Sequence, residues 1–309
     1  MDTSPHKSEL VEVNGIHLHY LDWGGSGTVL LFLAGMGCNA HIFDRFAPRY
    51  TDRFHVLALT RRGHGESDHP ETGYDIDTLT EDLRLFIDQT KIERLFLAGH
   101  SLAGIEMSHF AALHPERLLG LIYLDAAFYR NLPEFKAMLA VNPLPALQNP
   151  GPNPDHYSVQ DYFAFIKKTY PTLAMLWGDV MEEQSLHEIT VQPDGKVVDR
   201  MSRTIEDALG ASLSSYEPED ASFQAPTLSF FAVQDGTAFI SPETMPAAQQ
   251  AQVLEYFQTA RLTWYQRSLE LFRRNVPHAK IVEIPHGHHY VFIVHEELVF
   301  DEMRKFLSA

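Results

Sequence analysis

The serine in Gly99-His100-Ser101-Leu102-Ala103 has the best local setting in this chain for nucleophilic chemistry. It follows an apolar run at 94–98 and precedes a segment of helical spacing that stops before Pro115. A serine between a strand and a helix occupies a tight turn that exposes its Oγ, and small residues two before and two after let the turn close. Gly99 and Ala103 meet that need. The helix N-terminus offers backbone N–H groups and the positive end of a dipole to a developing oxyanion. The pentapeptide alone is common by chance; the strand–turn–helix context gives it weight. A hydroxyl attacks poorly until a base takes its proton, and a histidine base needs a group to hold its tautomer. The chain has 17 histidines. Those in Pro285-His286-Gly287-His288-His289-Tyr290 follow an apolar run directly, as Asp235 follows another in Val233-Gln234-Asp235-Gly236. We therefore expect Ser101 as nucleophile, His289 as base and Asp235 as the acid behind it.

The elements that must present these residues are legible as patterns. Residues 11–21 alternate around Asn14-Gly15 and predict a hairpin. Continuous apolar runs at 28–33, 54–59, 94–98, 118–124, 227–233 and 280–284 suit strands buried on both faces. Helical spacing at 77–90 and 102–114 lies between them. Such alternation predicts a parallel sheet with helices on both faces, and a ligand site beyond the C-terminal strand ends. The stretch 128–221 breaks the pattern: it opens with Pro143, Pro145, Pro150, Pro152 and Pro154 and continues with a helix over 158–170 capped by Ser158. We expect a mostly helical insertion over the strand ends. A further helical segment spans 249–274 and is expected to pack against it.

Taken together these motifs resemble the α/β-hydrolase fold, over nearly the whole chain apart from the insertion. Gly99-His100-Ser101-Leu102-Ala103-Gly104 resembles its nucleophile elbow, 33–36 its oxyanion loop, and Arg62-Gly63-His64-Gly65-Glu66-Ser67 the turn after its fourth strand. Pro226 to Asp235 resembles the strand that delivers the acid, and Pro285 to Tyr290 the loop that delivers the histidine. The order Ser101, Asp235, His289 is that of the family. Ala34 and Thr60 stand where the family usually has histidine and aspartate. The resemblance implies a mostly parallel, eight-stranded-type sheet flanked by helices. It divides the chain into a core of 1–127 and 222–309 and a helical cap of 128–221. It assigns the oxyanion donors to the backbone N–H groups of Met36 and Leu102. His288 is an alternative base, and Asp125, where some family members place the acid, an alternative to Asp235. It implies hydrolysis of a small or medium ester with an apolar group. The same triad serves carbon–carbon, lactone or thioester hydrolysis or perhydrolysis elsewhere in the family, and some members are non-catalytic receptors.

Composition narrows the rest. With 24 Lys+Arg against 41 Asp+Glu, the net charge of −17 disfavours nucleic acid and anionic membranes as partners. The single cysteine, Cys38, excludes an internal disulfide and a cysteine zinc cage. No apolar segment approaches the roughly 20 residues that span a bilayer, and residues 1–12 lack a signal-peptide pattern. We expect a cytoplasmic enzyme acting on a small molecule without a cofactor. His286, His288 and His289 form a tight cluster, but no carboxylate or cysteine stands at supporting spacing, so we expect no metal. Glu106 is expected to be paired or solvated. A histidine base with an unperturbed pKa would give a rate rising near pH 6.5.

Overall fold

The computed structural model describes residues 6–147, 155–218, 224–240, 243 and 245–308. An eight-stranded sheet runs in the order β1-β2-β4-β3-β5-β6-β9-β10. Its strands are β1 Lys7–Val13, β2 Ile16–Gly24, β3 Val29–Leu33, β4 His55–Leu59, β5 Leu95–His100, β6 Leu118–Leu124, β9 Thr227–Val233 and β10 Lys280–Pro285. The expected hairpin joins β1 to β2: Asn14 and Gly15 both have positive φ, 52° and 74°, the backbone a two-residue hairpin turn needs. β2 pairs antiparallel with both neighbours, and every other pairing is parallel.

The continuous apolar runs are explained by two cores, one on each face. In β3, Leu31 and Leu33 face one core with Phe86, Met107, Phe110 and Phe272. Leu30 and Phe32 face the other, with Phe43, Phe46, Phe292 and Met303. Alternate residues of one strand thus enter opposite layers, and both must be apolar. Phe32 is fully buried, and truncating such a side chain to alanine costs about 3–5 kcal/mol.

From β3 the chain steps to β4 on one side and then to β5 on the other. That reversal makes a crevice at the C-terminal ends of β3 and β5. The loop at 34–37 and Ser101 both leave the sheet there.

Between β6 and β9 the chain leaves the sheet for the helices Pro133–Ala140, Val159–Thr169, Asp179–His187 and Arg203–Ser215, among shorter turns, and a small hairpin of β7 Ile189–Val191 with β8 Val197–Asp199. Ser158 caps its helix by accepting from the Asp161 N–H. Pro150, Pro152 and Pro154 lie outside the described residues, as does the 221 boundary. The segment expected to be one helix is two, Ala247–Tyr256 and Leu262–Asn275, joined by a π-turn at Phe257–Arg261. It packs on Pro133–Ala140, with Phe135 and Met138 against Val253, Phe257 and Trp264. Among the described residues no helix is long and apolar enough to cross a membrane.

Candidate active site

Ser101 is the first residue beyond β5, two before the helix Ala103–Leu113, and has φ +55°. A non-glycine residue held there costs on the order of 1–3 kcal/mol, so the surrounding packing must enforce it. The neighbours show how. A Cβ added at Gly99 would lie 2.8 Å from the Ala103 Cβ and collide with the Met107 sulfur. A Cβ at Gly104 would strike the Ala126 carbonyl, so the helix seats directly against the chain leaving β6. On the other side, a Cβ at Gly35 would stand 3.1 Å from the Ser101 Cβ. The loop after β3 therefore abuts the serine, one residue from Met36, while Leu102 follows it at the start of the helix.

A buried ion pair fixes that loop. Arg61 donates through Nε and Nη2 to the two carboxylate oxygens of Glu106, both at 2.5 Å, and Nη2 also donates to the Ala34 carbonyl at 2.9 Å. Glu106 stands on the helix that follows Ser101. One guanidinium thus ties the loop to the helix, and Glu106 has the paired role expected of it.

His289 presents Nδ1 to Oδ2 of Asp125 at 2.7 Å. Asp125 sits just past β6, is fully buried, and its other oxygen accepts from the Ala232 N–H at 2.8 Å. Asp235, the acid expected from sequence, does not reach His289. It meets His286 at 2.8 Å and accepts from the Thr237 N–H and hydroxyl at 2.9 and 2.6 Å, at the surface. The β9–β10 register explains the correction: Val233 pairs with Pro285, so Asp235 emerges beside His286. The loop then folds back, Gly287 donating to the Val233 carbonyl at 3.2 Å, and carries His289 across β9 to the end of β6. A Cβ at Gly287 would come within 2.9 Å of Ala232, so the return path needs glycine.

His288, the alternative base, points elsewhere. It is buried, and its Nδ1 accepts from the Tyr290 N–H at 3.1 Å. Burial, with His289 and His295 adding to it, pushes its pKa down to about 4. His286, His288 and His289 thus take three separate directions.

His100 lies beneath the serine, fully enclosed, and donates from Nε2 to the His289 carbonyl at 3.1 Å. It positions the loop that carries His289. The sequence offered no sign of this, because the central residue of a Gly-x-Ser turn is free to vary.

Ser101, Asp125 and His289 line one cavity of about 260 Å³. Phe128, Phe135, Phe257 and Trp264 give it an aromatic wall, and Arg130 and Arg261 also open into it. Both guanidiniums bear on the histidine. Burial first, then the charges of Arg261 and Arg130, push His289 down to about 3. Burial lifts Asp125 to about 7, against the pull of the Ala232 N–H and Arg261. The resting imidazole is therefore neutral, the form that accepts a proton, and its protonation lies below the pH 6.5 expected for an unperturbed ring. Cys38 is buried and its thiol pushed up to about 12 by burial, so it is unreactive.

Three overlapping groups among the described residues have spacing that could suit a cation: His6, His41 and Asp44; His19, His41 and Glu66; and His41, Glu183 and His187. None lines the Ser101 cavity. The His41 and His187 rings stack 3.8 Å apart at 11°, so their nitrogen lone pairs lie in parallel planes rather than converging.

Residues 28–167 match a family model described as the alpha/beta hydrolase fold. Over 122 residues the chain is 33% identical to a 2-(acetamidomethylene)succinate hydrolase of Mesorhizobium japonicum, covering 40% of this chain and 44% of that one. It is 31% identical over 121 residues to a fluoroacetate dehalogenase of a Burkholderia species, covering 38% and 40%. The matched stretches thus span less than half the length of these relatives. A crystal structure of E-2-(acetamidomethylene)succinate hydrolase superimposes with a TM-score of 0.76 at 23% identity, over 98% of this chain and 100% of that one.

Proposed function

We propose that this chain, which has the α/β-hydrolase fold, is a serine hydrolase cleaving a small or medium ester through an acyl-enzyme. The observation that carries the reading is a left-handed serine and a carboxylate-backed imidazole lining one cavity. Ser101 Oγ forms the bond to the acyl carbon as His289 takes its proton. His289 returns that proton to the leaving alkoxide as the C–O bond breaks. Water, deprotonated by His289, then attacks the acyl carbon; the acyl–Oγ bond breaks, His289 returns the proton to Ser101 Oγ, and the acid leaves. Asp125 holds the imidazole and stabilises its cation. The N–H groups of Met36 and Leu102 are the proposed oxyanion donors, each worth about 10²–10³ in rate. The helices of 128–221 and the segment at 247–275 act as the cap, and its aromatic side chains receive an apolar part of the substrate.

The test is turnover of p-nitrophenyl acetate by wild type and Ser101→Ala. Loss of at least about 10⁴-fold with an unchanged circular dichroism spectrum is expected; retained turnover would refute the assignment.

A further inference from the structure

Four arginines of this chain are set into its interior or its cavity, and they fall into two kinds. Arg61 is held by Glu106, and Arg62 is held by Asp82 through two bonds of 2.6 and 2.7 Å. Arg130 and Arg261 line the Ser101 cavity, and among the described residues neither has a carboxylate within 4 Å. Aromatic rings lie beside both, and Arg261 also donates to the Tyr256 hydroxyl. Arg261 stands 5.3 Å from the Phe257 ring centroid and 5.5 Å from that of Trp264, and Arg130 stands 5.8 Å from that of Phe135. Arg261 closes the π-turn at Phe257–Arg261 and lines the cavity, and such turns recur at functional sites. Burial and the nearby Arg261 push Arg130 down to about 10.

A cation taken out of water is costly unless something offsets its charge. The charged groups facing the cavity are Asp125, His289, Arg130 and Arg261. Asp125 is engaged by His289 and the Ala232 N–H. With His289 neutral, the cavity carries at least one net positive charge, in a chain whose overall charge is −17. The aromatic wall can accept the carbon skeleton of a ligand but offers no counter-charge.

We infer that the substrate of this site is a carboxylate-bearing ester, its anionic group seated between Arg130 and Arg261 while its ester carbonyl lies at Ser101. This rests on the serine-hydrolase reading for the position of the reacting bond, but not for the anion site itself. The planar guanidinium fork matches a carboxylate. A cavity of about 260 Å³ has room for a small ester of this kind.

The probes are monomethyl succinate and methyl pentanoate, of similar length, one anionic and one neutral, with hydrolysis followed by proton release. Wild type is expected to prefer monomethyl succinate by about 10- to 100-fold in kcat/KM, the range for hydrogen bonds to a charged group. Arg130→Met and Arg261→Met should each shrink that ratio, mainly through KM, and Arg130→Lys and Arg261→Lys should restore part of it. Because the ratio is taken within one variant, partial misfolding cancels. Calorimetry on Ser101→Ala reads binding without turnover and should show monomethyl succinate bound more tightly than methyl pentanoate. Equal binding of the two, or a ratio untouched by both methionine variants, would overturn the anion site. Hydrolysis by Ser101→Ala would instead refute the nucleophile, so the two failures are distinguishable.

Discussion

Arg61 and Arg62 follow β4 directly, with Glu106 and Asp82 locked onto them, while Arg130 and Arg261 line the Ser101 cavity, stacked near aromatic rings and, among the described residues, without a carboxylate partner within 4 Å. The first pair joins loops to helices, and its charges are satisfied within the chain. The second pair stands near aromatic rings, with Arg261 also bonded to the Tyr256 hydroxyl, and has no carboxylate partner within 4 Å among the described residues. Among the described residues a carboxylate is supplied to the first pair and not to the second, which is the pattern expected of cations that meet an anionic ligand. The contrast separates cations that hold the fold from cations that read a ligand.

The sharpest way to break this contrast is through the carboxylates. Asp125→Asn should lower turnover by about 10⁴-fold, the size of effect seen when a triad acid can no longer hold its histidine. Asp235→Asn, at a surface turn, should stay within a few-fold of wild type in the same ester assay. Comparable losses in both would restore Asp235 to the site. Next come the stabilities. Glu106→Gln leaves Arg61 buried without its anion and should cost about 3–5 kcal/mol in denaturant unfolding. Arg261→Gln removes an unpaired cation and should leave stability unchanged or raised, and a large loss there would show that Arg261 is structural after all.

The smallest effect concerns pH. His289 is held low by burial and then by Arg261 and Arg130, so the acid limb of kcat/KM for a neutral ester should fall below pH 6.5. Removing a positive neighbour favours the imidazolium, and the limb in Arg261→Gln should therefore move to higher pH. A wild-type limb at or above 6.5, or a limb unmoved in the variant, would contradict the placement of these charges.

The strands were readable because burial on both faces leaves an unbroken apolar run, and Ser101 because its turn demands small neighbours in sequence. Asp125 and Asp235 look alike in sequence, each at the end of an apolar run. What distinguishes them is the return path of the loop after Pro285, set by the β9–β10 register and by Gly287 against Ala232. Neither contact leaves a local pattern. Arg261 was invisible for a related reason. It falls within a segment with ordinary helical spacing, and neither the π-turn it closes nor its place on the cavity wall leaves a sequence pattern. The pairing of Arg61 with Glu106 joins residues 45 apart in the chain, which no periodicity reveals.

The central claim is that the Ser101 hydroxyl is activated. Treatment with a fluorophosphonate, followed by peptide mass spectrometry, reads this directly. A single phosphonyl adduct on the peptide containing Ser101, absent from Ser101→Ala and strongly slowed in His289→Gln, is the predicted result. An unlabelled wild type, or an adduct on another residue, would contradict it.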